Sequence, residues 1–318
     1  MLKVLYLPLG EQPGTYDGWR NIGVELEIYD YWTDWLQNKN IEGIKQRFLS
    51  KVATFQPDLI HMQLQFTGAI SIETLREAKR MCPKAVMVNW SGDVRADPPH
   101  PFTSLASALD FTLISSSGQL ELYKRAGCHN VKYWQIGYDP KTAFPMNKTE
   151  FTYDISFTGN NYGNMFPDGP LRASAAKALK DAFGNKFGLF GSGYPGATGS
   201  TSHQQSNQIY NDSLCVLSIS NFNNIAHYFS DRLLLCLGSG RPTISWYFPN
   251  YEDYFVDGRD IFIARSNQDI IDIVNYCKAN PEAANQVGVN GQLKVLKEHT
   301  FTSRVMELLQ ITNLAHLV

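Results

Sequence analysis

The sequence lacks long apolar runs. No stretch in its 318 residues approaches the roughly 18 consecutive apolar residues of a membrane-spanning helix. Its start, MLKVLYLPLG, has one lysine, a short apolar segment and no small-residue cleavage site, which predicts a first β-strand rather than a signal peptide. The cysteines are scattered, odd in number and without a Cys-x-x-Cys pair, which is typical of reduced thiols. They are Cys82, Cys128, Cys215, Cys236 and Cys277. We therefore expect a cytoplasmic protein.

The sequence also lacks a large excess of charge of one sign, and it lacks several catalytic motifs. The formal net charge is −2, so no global field draws the chain towards nucleic acid or an anionic membrane. There is no Gly-x-x-x-x-Gly-Lys-Ser/Thr phosphate loop and no Gly-x-Ser-x-Gly nucleophile elbow. Neither His-x-x-x-His nor Asp-x-Asp occurs, so metal chemistry has little support. We expect no metal and no cofactor.

What the sequence does contain is a strand–helix alternation, which predicts an α/β fold with parallel sheets. The proline-bearing segment 137–154 has no apolar period and reads as a linker. We expect two Rossmann-like domains, 1–145 and 146–318, that face a central cleft; the last helix, 301–311, is a candidate to pack back on the first domain. The predicted strands are 3–9, 24–31, 58–65, 85–91, 111–117, 131–137, 153–160, 186–193, 214–220, 242–247 and 260–264. The other predicted helices are 41–55, 71–82, 118–127, 170–184, 231–237, 267–280 and 281–299.

Ligands of such sheets bind at the carboxyl ends of the strands, so the loops there are the candidate site. In the first domain, the turn 9–19 carries Gly10, Tyr16 and Trp19 but not Gly-x-Gly-x-x-Gly. We expect it to face a bound acceptor, with a plain surface loop as the alternative. After the fourth strand, Trp90 is expected at the acceptor and Asp93 is positioned to orient or deprotonate an acceptor hydroxyl. The alternative for Asp93 is a turn cap.

Two glycine-rich turns mark the second domain. Gly159 and Asn160 follow its first strand, where backbone N–H groups of such a turn can bind phosphate oxygens. Gly191 and Tyr194 follow the next strand, and the Tyr194 ring is expected to lie against a planar base.

Arg232 lies in the first turn of the predicted helix 231–237, behind Ser230 and Asp231 as possible caps. A cation there opposes the helix dipole unless an anion is nearby. A bound diphosphate would supply that anion and meet both the free N–H groups and the guanidinium. The alternative is an ion pair between Arg232 and a carboxylate such as Asp253.

Residues 228–309 resemble the carboxyl-terminal domain of GT-B glycosyltransferases in the group 1 superfamily, most closely its spore-maturation-protein-like branch. The resemblance implies a nucleotide-sugar donor held by the second domain, an acceptor held by the first, and transfer without a metal. It covers about 80 residues; the first half of the chain fits only in architecture. The matching motifs are Ser230-Asp231-Arg232, Ser239-Gly240, Tyr254-Phe255, Pro281-Glu282 and Glu298-His299-Thr300-Phe301.

The chain departs from this superfamily at a pair of glutamates, whose positions here hold His227 and Leu235. The donor sugar and the stereochemistry of transfer are therefore not carried over. We expect a hexosyl- or pentosyltransferase, most simply with a UDP-sugar. Arg232, helped by backbone N–H groups near Ser230 and Asn160 that face the donor, is expected to stabilise the departing diphosphate, while His227 and Tyr228 line the sugar pocket.

The acceptor class stays open between a glycan, a small molecule and modified DNA, as does the oligomeric state. One rival function is transfer to a hydroxymethylated DNA base, with loop aromatics stacking on the extruded base. Another is a non-catalytic module that binds a nucleotide sugar or a partner protein. The aromatics considered for stacking are Trp19, Trp32, Trp35 and Trp90.

Overall fold

A computed structural model describes residues 1–65 and 68–318. The chain forms two compact units: unit 1 comprises residues 1–137 and 301–318, and unit 2 comprises residues 138–300. Each contains one parallel sheet with helices between its strands, so the expected α/β architecture with two Rossmann-like domains is confirmed. Within the described ranges, no helix is both long and apolar enough to cross a membrane.

Unit 1 contains a six-stranded parallel sheet in the order β2-β1-β3-β4-β5-β6. β2 lies on one side of β1 and β3 lies on the other, so the direction in which successive strands are added to the sheet reverses between β1 and β3. That place is the topological switch point of the sheet, where ligands of such folds bind. The elements are β1 (Lys3–Leu7), α1 (Pro13–Asn21), β2 (Glu25–Ile28), α2 (Tyr31–Asn38), α3 (Ile41–Phe55), β3 (Leu59–Met62), α4 (Ile72–Met81), β4 (Val86–Ser91), α5 (His100–Leu105), β5 (Phe111–Ile114), α6 (Leu120–Arg125) and β6 (Val131–Tyr133).

Unit 2 contains a five-stranded parallel sheet in the order β11-β10-β9-β7-β8. Its first strand, β7, is flanked by β8 and β9, so its switch point lies between β7 and β9. The elements are β7 (Tyr153–Thr158), α7 (Gly169–Phe183), β8 (Phe187–Phe190), α8 (His203–Asn211), β9 (Ser213–Ser218), α9 (Asp231–Gly238), β10 (Thr243–Trp246), β11 (Phe262–Ala264), α10 (Asn267–Ala279) and α11 (Pro281–Glu298).

The last helix, α12 (Phe301–Ile311), belongs to unit 1. It packs on α1 at Gly18, where a Cβ atom would come within 2.8 Å of the Phe301 backbone. The Trp134 indole N–H donates to the Arg304 carbonyl oxygen at 2.7 Å. The close approach at Gly18 thus joins α12 to the first helix, and the buried hydrogen bond joins α12 to Trp134, directly after β6.

The division of the structure falls at Gly137/Tyr138 rather than at 145/146. Tyr138 donates its backbone N–H to the His299 carbonyl oxygen at 2.7 Å and its hydroxyl to the carbonyl of Ala143. A Cβ on Gly238 would lie 2.4 Å from the Tyr138 ring. These contacts attach the start of the predicted linker to unit 2.

The predicted eleven-residue loop 9–19 is wrong, because α1 begins at Pro13. Proline favours the first helical position, where its fixed φ suits the helix and no N–H is needed. The helices α2, α5 and α8 were also not predicted. All three span at most nine residues, which is too short for a clear helical period, and α8 is also mostly polar.

Candidate functional site

Two arginines converge on Gly159, the residue that follows β7. A Cβ atom on Gly159 would lie 2.7 Å from Nη2 of Arg172 and 2.7 Å from Nη2 of Arg232. Gly159 has a φ of +154°, which side chains rarely adopt. Glycine therefore allows both guanidinium groups to pack against the backbone at the end of this strand.

Arg172 lies on the buried face of α7 and is only 1% exposed. Its Nη1 donates to Oδ1 of Asn221, whereas its Nε and Nη2 have no hydrogen-bond partner in the part of the chain that the structure describes. The guanidinium lies 5.3 Å from the centroid of the Phe157 ring. Burial, reinforced by the nearby charge of Arg232, lowers the pKa of Arg172 to about 10. A buried cation with unused donors is costly unless an anion joins it.

Arg232 lies in the first turn of α9, as the sequence predicts. Its Nη1 donates to the Ile219 carbonyl oxygen at 3.1 Å, and its guanidinium lies 5.3 Å from the centroid of the Phe157 ring. Within the part of the chain that the structure describes, no carboxylate forms an ion pair with Arg172 or Arg232. The alternative partner, Asp253, is bonded to His227 instead.

Two buried hydroxyl groups close to these arginines also lack partners. Ser230 precedes α9 as its N-cap residue, but its side chain makes no capping bond and its Oγ is unpaired. The hydroxyl of Tyr194 is likewise buried; it interacts with the neighbouring Arg172 guanidinium but makes no hydrogen bond of normal geometry among the described residues. Burial raises the pKa of Tyr194, and the charges of Arg172 and Arg232 oppose that rise. Hydroxyl and guanidinium donors without acceptors are the groups that a phosphate requires.

The topology of unit 2 brings these donors together. Gly159 follows β7, and Ile219 follows β9, so both lie at the switch point of the sheet. The next helices in the chain, α7 and α9, carry Arg172 and Arg232 respectively. The first turn of α9 adds the positive end of a helix dipole. The arrangement is chemically suited to bind a group with at least two negative charges.

Asn160 and Gly191 shape this site rather than project into it. The Asn160 side-chain oxygen accepts from Ser192 N at 2.9 Å and from Ser200 Oγ at 3.0 Å, which joins the loops after β7 and β8. A Cβ on Gly191, which has a φ of +140°, would lie 2.2 Å from the Gly159 carbonyl oxygen. The Ser230 N–H, expected to face a ligand, donates to Ser220 Oγ at 3.3 Å.

The expectation that the Tyr194 ring stacks on a base is wrong. The ring belongs to the core of unit 2 and meets Phe157 edge to face at 6.1 Å between centroids. The residue is 8% exposed. A ring that packs in the core presents no face to a base. Burying its apolar area in the core stabilises the fold more than a position in a loop would.

His227 has a left-handed backbone with a φ of +59°. The segment between β10 and β11 holds it in three ways. Its N–H donates to the Pro249 carbonyl oxygen at 3.0 Å, its Nε2 lies 2.6 Å from Oδ2 of Asp253, and its ring meets Tyr254 edge to face. The next residue, Tyr228, is buried. His227 is therefore fixed three positions before the N-cap of α9.

Two of the expected acceptor residues are wrong, because they lie in the core of unit 1. Trp19 is fully buried on α1, and Trp90 is buried on β4, where its indole N–H donates to the Trp134 carbonyl oxygen at 3.0 Å. Neither ring can stack on an acceptor or an extruded base. Gly10 occupies the turn after β1 with a φ of +83°, and Tyr16 is half-buried on α1.

Asp93 is exposed in the loop after β4, and its carboxylate lies 3.2 Å from Nη2 of Arg95. Its backbone carbonyl accepts from the Ser91 hydroxyl at 2.9 Å. The carboxylate caps no helix, so it remains available to solvent.

Sequence reasoning missed Arg172. The available signal was a single arginine on the apolar face of the predicted helix 170–184, where Ala175, Ala176 and Leu179 are also buried. A charged residue on the buried stripe of a helix is rare unless it has a partner or a ligand.

Comparisons with solved structures agree with this architecture. Anabaena HepE, solved in complex with UDP and glucose, is 11% identical with a TM-score of 0.65, and the match covers 98% of this chain and 100% of that one. A glycosyltransferase from Rickettsia africae is 11% identical with a TM-score of 0.67, covering 98% and 97%. Sucrose-phosphate synthase from Thermosynechococcus elongatus is 10% identical with a TM-score of 0.63, covering 100% of both chains. The chain has the GT-B fold.

Residues 172–310 match the family model described as glycosyl transferase-like. This range includes Arg172, Arg232 and the whole segment 228–309, and it supports the glycosyltransferase superfamily expected from that segment. No curated protein matches the chain significantly.

Proposed function

We propose that this protein is a glycosyltransferase that moves a hexosyl or pentosyl group from a UDP-sugar to an acceptor hydroxyl without a metal ion. The observation that carries the proposal is the pair of guanidinium groups, Arg172 and Arg232, which meet at Gly159 without a carboxylate partner among the described residues. The glycosyl transferase-like match over 172–310 supports it. HepE of Anabaena, which shares the fold, was solved with UDP-glucose.

In the proposed reaction, the bond between the anomeric carbon and the diphosphate oxygen breaks, and the oxygen keeps the electron pair. Arg172 and Arg232 stabilise the negative charge that develops on this leaving group, which is the term expected to contribute most. Two guanidinium charges supply what a divalent cation supplies in metal-dependent transfer. The acceptor oxygen bonds to the anomeric carbon, and Asp93 is the proposed recipient of its proton. His227 and Tyr228 are proposed to line the sugar pocket.

The experiment is a thermal-shift screen of the purified chain against UDP-, GDP-, TDP- and ADP-sugars, followed by turnover with the best donor. A ligand at about 100 times its Kd adds about 2.7 kcal/mol to the free energy of unfolding. Arg232→Ala is expected to reduce kcat by about 10²–10³-fold. EDTA is expected to leave turnover unchanged.

Arg265→Ala is the matched control, because this guanidinium stacks on Tyr247 at 3.9 Å and carries no role in the proposal. An Arg232→Ala enzyme that transfers at the normal rate would contradict the assignment. Donor binding without either transfer or donor hydrolysis would instead favour a non-catalytic binding module.

A further inference from the structure

The switch point of unit 1 holds a cluster of three polar side chains, Tyr6, Gln12 and Gln63. Tyr6 lies in β1, Gln63 directly follows β3, and Gln12 directly precedes α1. Tyr6 is fully buried and Gln63 is 4% exposed, whereas Gln12 is partly exposed. This acceptor cluster, as we name these three residues, thus extends from the core to the surface at the carboxyl ends of the two central strands.

The acceptor cluster is closely hydrogen-bonded. The Gln12 and Gln63 amides form a reciprocal pair, in which each Nε2 donates to the other Oε1 at 2.8 Å. The Tyr6 hydroxyl donates to Oε1 of Gln12 at 2.7 Å and accepts from Nε2 of Gln63 at 2.6 Å. The Tyr31 hydroxyl donates to the Gln63 carbonyl oxygen at 2.7 Å. The bonds among the Tyr6, Gln12 and Gln63 side chains fix the orientation of both amides, whereas the Tyr31 bond holds only the Gln63 backbone.

The bonds within the acceptor cluster leave one donor and one acceptor unused. An amide nitrogen has two hydrogens and an amide oxygen has two lone pairs. Gln12 Nε2 donates one hydrogen, and Gln63 Oε1 accepts one hydrogen bond. The remaining N–H and lone pair belong to adjacent atoms of the reciprocal pair. A hydroxyl group, which both donates and accepts, satisfies both, whereas an anion can use only the N–H.

The charges around the acceptor cluster also disfavour an anion. Burial raises the pKa of Tyr6, and the charge of Asp30 contributes to the rise. Burial likewise raises the pKa of Tyr16, where Asp30 and Glu11 contribute and Arg20 opposes. Two carboxylates and one guanidinium thus act on these tyrosines, so the nearby charge within unit 1 disfavours a phosphorylated or carboxylated acceptor.

Tyr16 adds an apolar surface beside these amides. Its ring meets that of Tyr6 edge to face at 5.9 Å between centroids and is only partly buried. An aromatic face next to hydroxyl-binding amides is suited to a carbohydrate ring, which has both C–H faces and hydroxyl edges.

We infer that Gln12 and Gln63, held in register by Tyr6, bind a hydroxyl of an uncharged, polyhydroxylated acceptor such as a neutral sugar, with Tyr16 against its ring. The inference rests on the proposed function, since only a transferase needs an acceptor here. It assigns specificity to neutral carbohydrate over phosphorylated acceptors and over DNA.

The test measures binding of methyl glucoside, methyl galactoside and methyl mannoside to the full chain in the presence of UDP, by saturation-transfer NMR. Glucose 6-phosphate and glucuronate are the charged comparison probes. At least one neutral glycoside is expected to bind about tenfold more tightly than both charged probes. Failure of all three neutral glycosides to bind, or tighter binding of a charged probe, overturns the inference.

The variants Gln63→Leu and Tyr6→Phe are expected to weaken binding of the neutral glycoside about tenfold, because each breaks the amide arrangement. Tyr31→Phe is the control, since it removes a neighbouring hydroxyl that bonds only to backbone groups and leaves the amide pair intact. Binding of UDP is measured in every variant and is expected to stay unchanged.

The two readouts separate the possible failures. If Gln63→Leu lowers the free energy of unfolding while glycoside binding is retained, the acceptor cluster only stabilises the carboxyl ends of the strands, and the inference is wrong. If the wild-type chain does not bind UDP, the proposed function fails independently of the glycoside result.

Discussion

The two switch points of this molecule are built alike and carry opposite chemistry. In unit 1, Tyr6, Gln12 and Gln63 satisfy one another almost completely and carry no charge. In unit 2, Arg172 and Arg232 bring two positive charges together with unused donors. The same strand order places a site in each unit, but the side chains there decide what it binds.

The difference shows what each site gains from its ligand. The amides of unit 1 are already hydrogen-bonded, so a ligand adds one or two bonds to a rigid frame. The arginines of unit 2 repel each other, and an anion would relieve that repulsion while filling the empty donors. We expect unit 2 to respond more strongly to mutation and to ligand.

Among the substitutions that compare the two switch points, the largest effect is expected from Arg172→Met, which replaces the buried guanidinium by an apolar chain of similar length. Without the second cation, UDP affinity is expected to fall by about 100-fold. The unligated protein is expected to become more stable by about 1 kcal/mol, because two unsatisfied buried donors disappear while one bond to Asn221 is lost. Calorimetric titration and denaturant unfolding measure the two quantities.

Arg241→Met serves as the control for Arg172→Met. Arg241 is also a buried arginine of unit 2, and its Nε likewise has no hydrogen-bond partner among the described residues. It differs from Arg172 because the negative charge of Asp212 acts on it, while its Nη2 donates to the Lys148 carbonyl oxygen at 3.1 Å and its guanidinium lies over Phe151. This substitution is expected to reduce stability and to leave UDP affinity unchanged. If Arg172→Met destabilised the unligated chain as much, the description of Arg172 as an unsatisfied cation would be wrong.

A smaller effect is expected from alanine at the glycines of the two switch points. Gly159→Ala inserts a Cβ atom at 2.7 Å from both guanidinium groups, and displacing them is expected to weaken UDP binding about 30-fold. At Gly10, after β1, an added Cβ atom would meet no described atom within 4 Å, so Gly10→Ala adds only the strain of a φ of +83°. That change is expected to cost about 1 kcal/mol of stability with unchanged UDP affinity. Equal UDP affinity in both variants would contradict the assignment of UDP binding to the switch point of unit 2.

The smallest effect concerns His61, which is fully buried in unit 1 on the same face of the sheet as Tyr6. Neither of its ring nitrogens has a hydrogen-bond partner among residues 1–65 and 68–318. Burial lowers its pKa from 6.5 to about 3. Between those values the unfolded chain binds a proton that the folded chain does not, so stability falls as the pH falls below 6.5. The slope is at most about 1.4 kcal/mol per pH unit.

His61→Phe is expected to reduce this slope, since phenylalanine fills the aromatic cage of Tyr6, Trp19 and Trp134 without titrating. Denaturant unfolding at about pH 7.5 and about pH 5.5 measures the slope. An unchanged slope in the variant would show that acid acts elsewhere in the chain.

Local patterns predicted the strands and most of the helices in their order, but not α1, α2, α5 or α8. The helix 41–55 and the helix 301–311 coincide with α3 and α12, because their apolar residues repeat with the helical period and their ends carry stop signals. The β-strands, whose apolar runs lie between such helices, were also recovered. These signals depend on neighbours in the chain, which a sequence displays directly.

The candidate site was predictable only in part. Arg232 was found because its own neighbours make a cation unusual at the start of a helix. Trp19 and Trp90 were misassigned because the local sequence around an aromatic residue in or soon after a strand is the same whether its ring faces a ligand or the core. Only packing against residues distant in the chain, such as Trp134 beneath Trp90, distinguishes the two cases.

The sequence by itself determined that this is an α/β chain of two parallel-sheet units. It also determined that Arg232 lies in the first turn of a helix, where a cation favours a bound anion. Tertiary structure decided what meets at each switch point. It brought Arg172 to Arg232 across 60 positions and Gln12 to Gln63 across 51. The physical reason is that hydrogen-bond satisfaction and charge repulsion depend on distance in space, and the strand order, rather than any local pattern, fixes those distances.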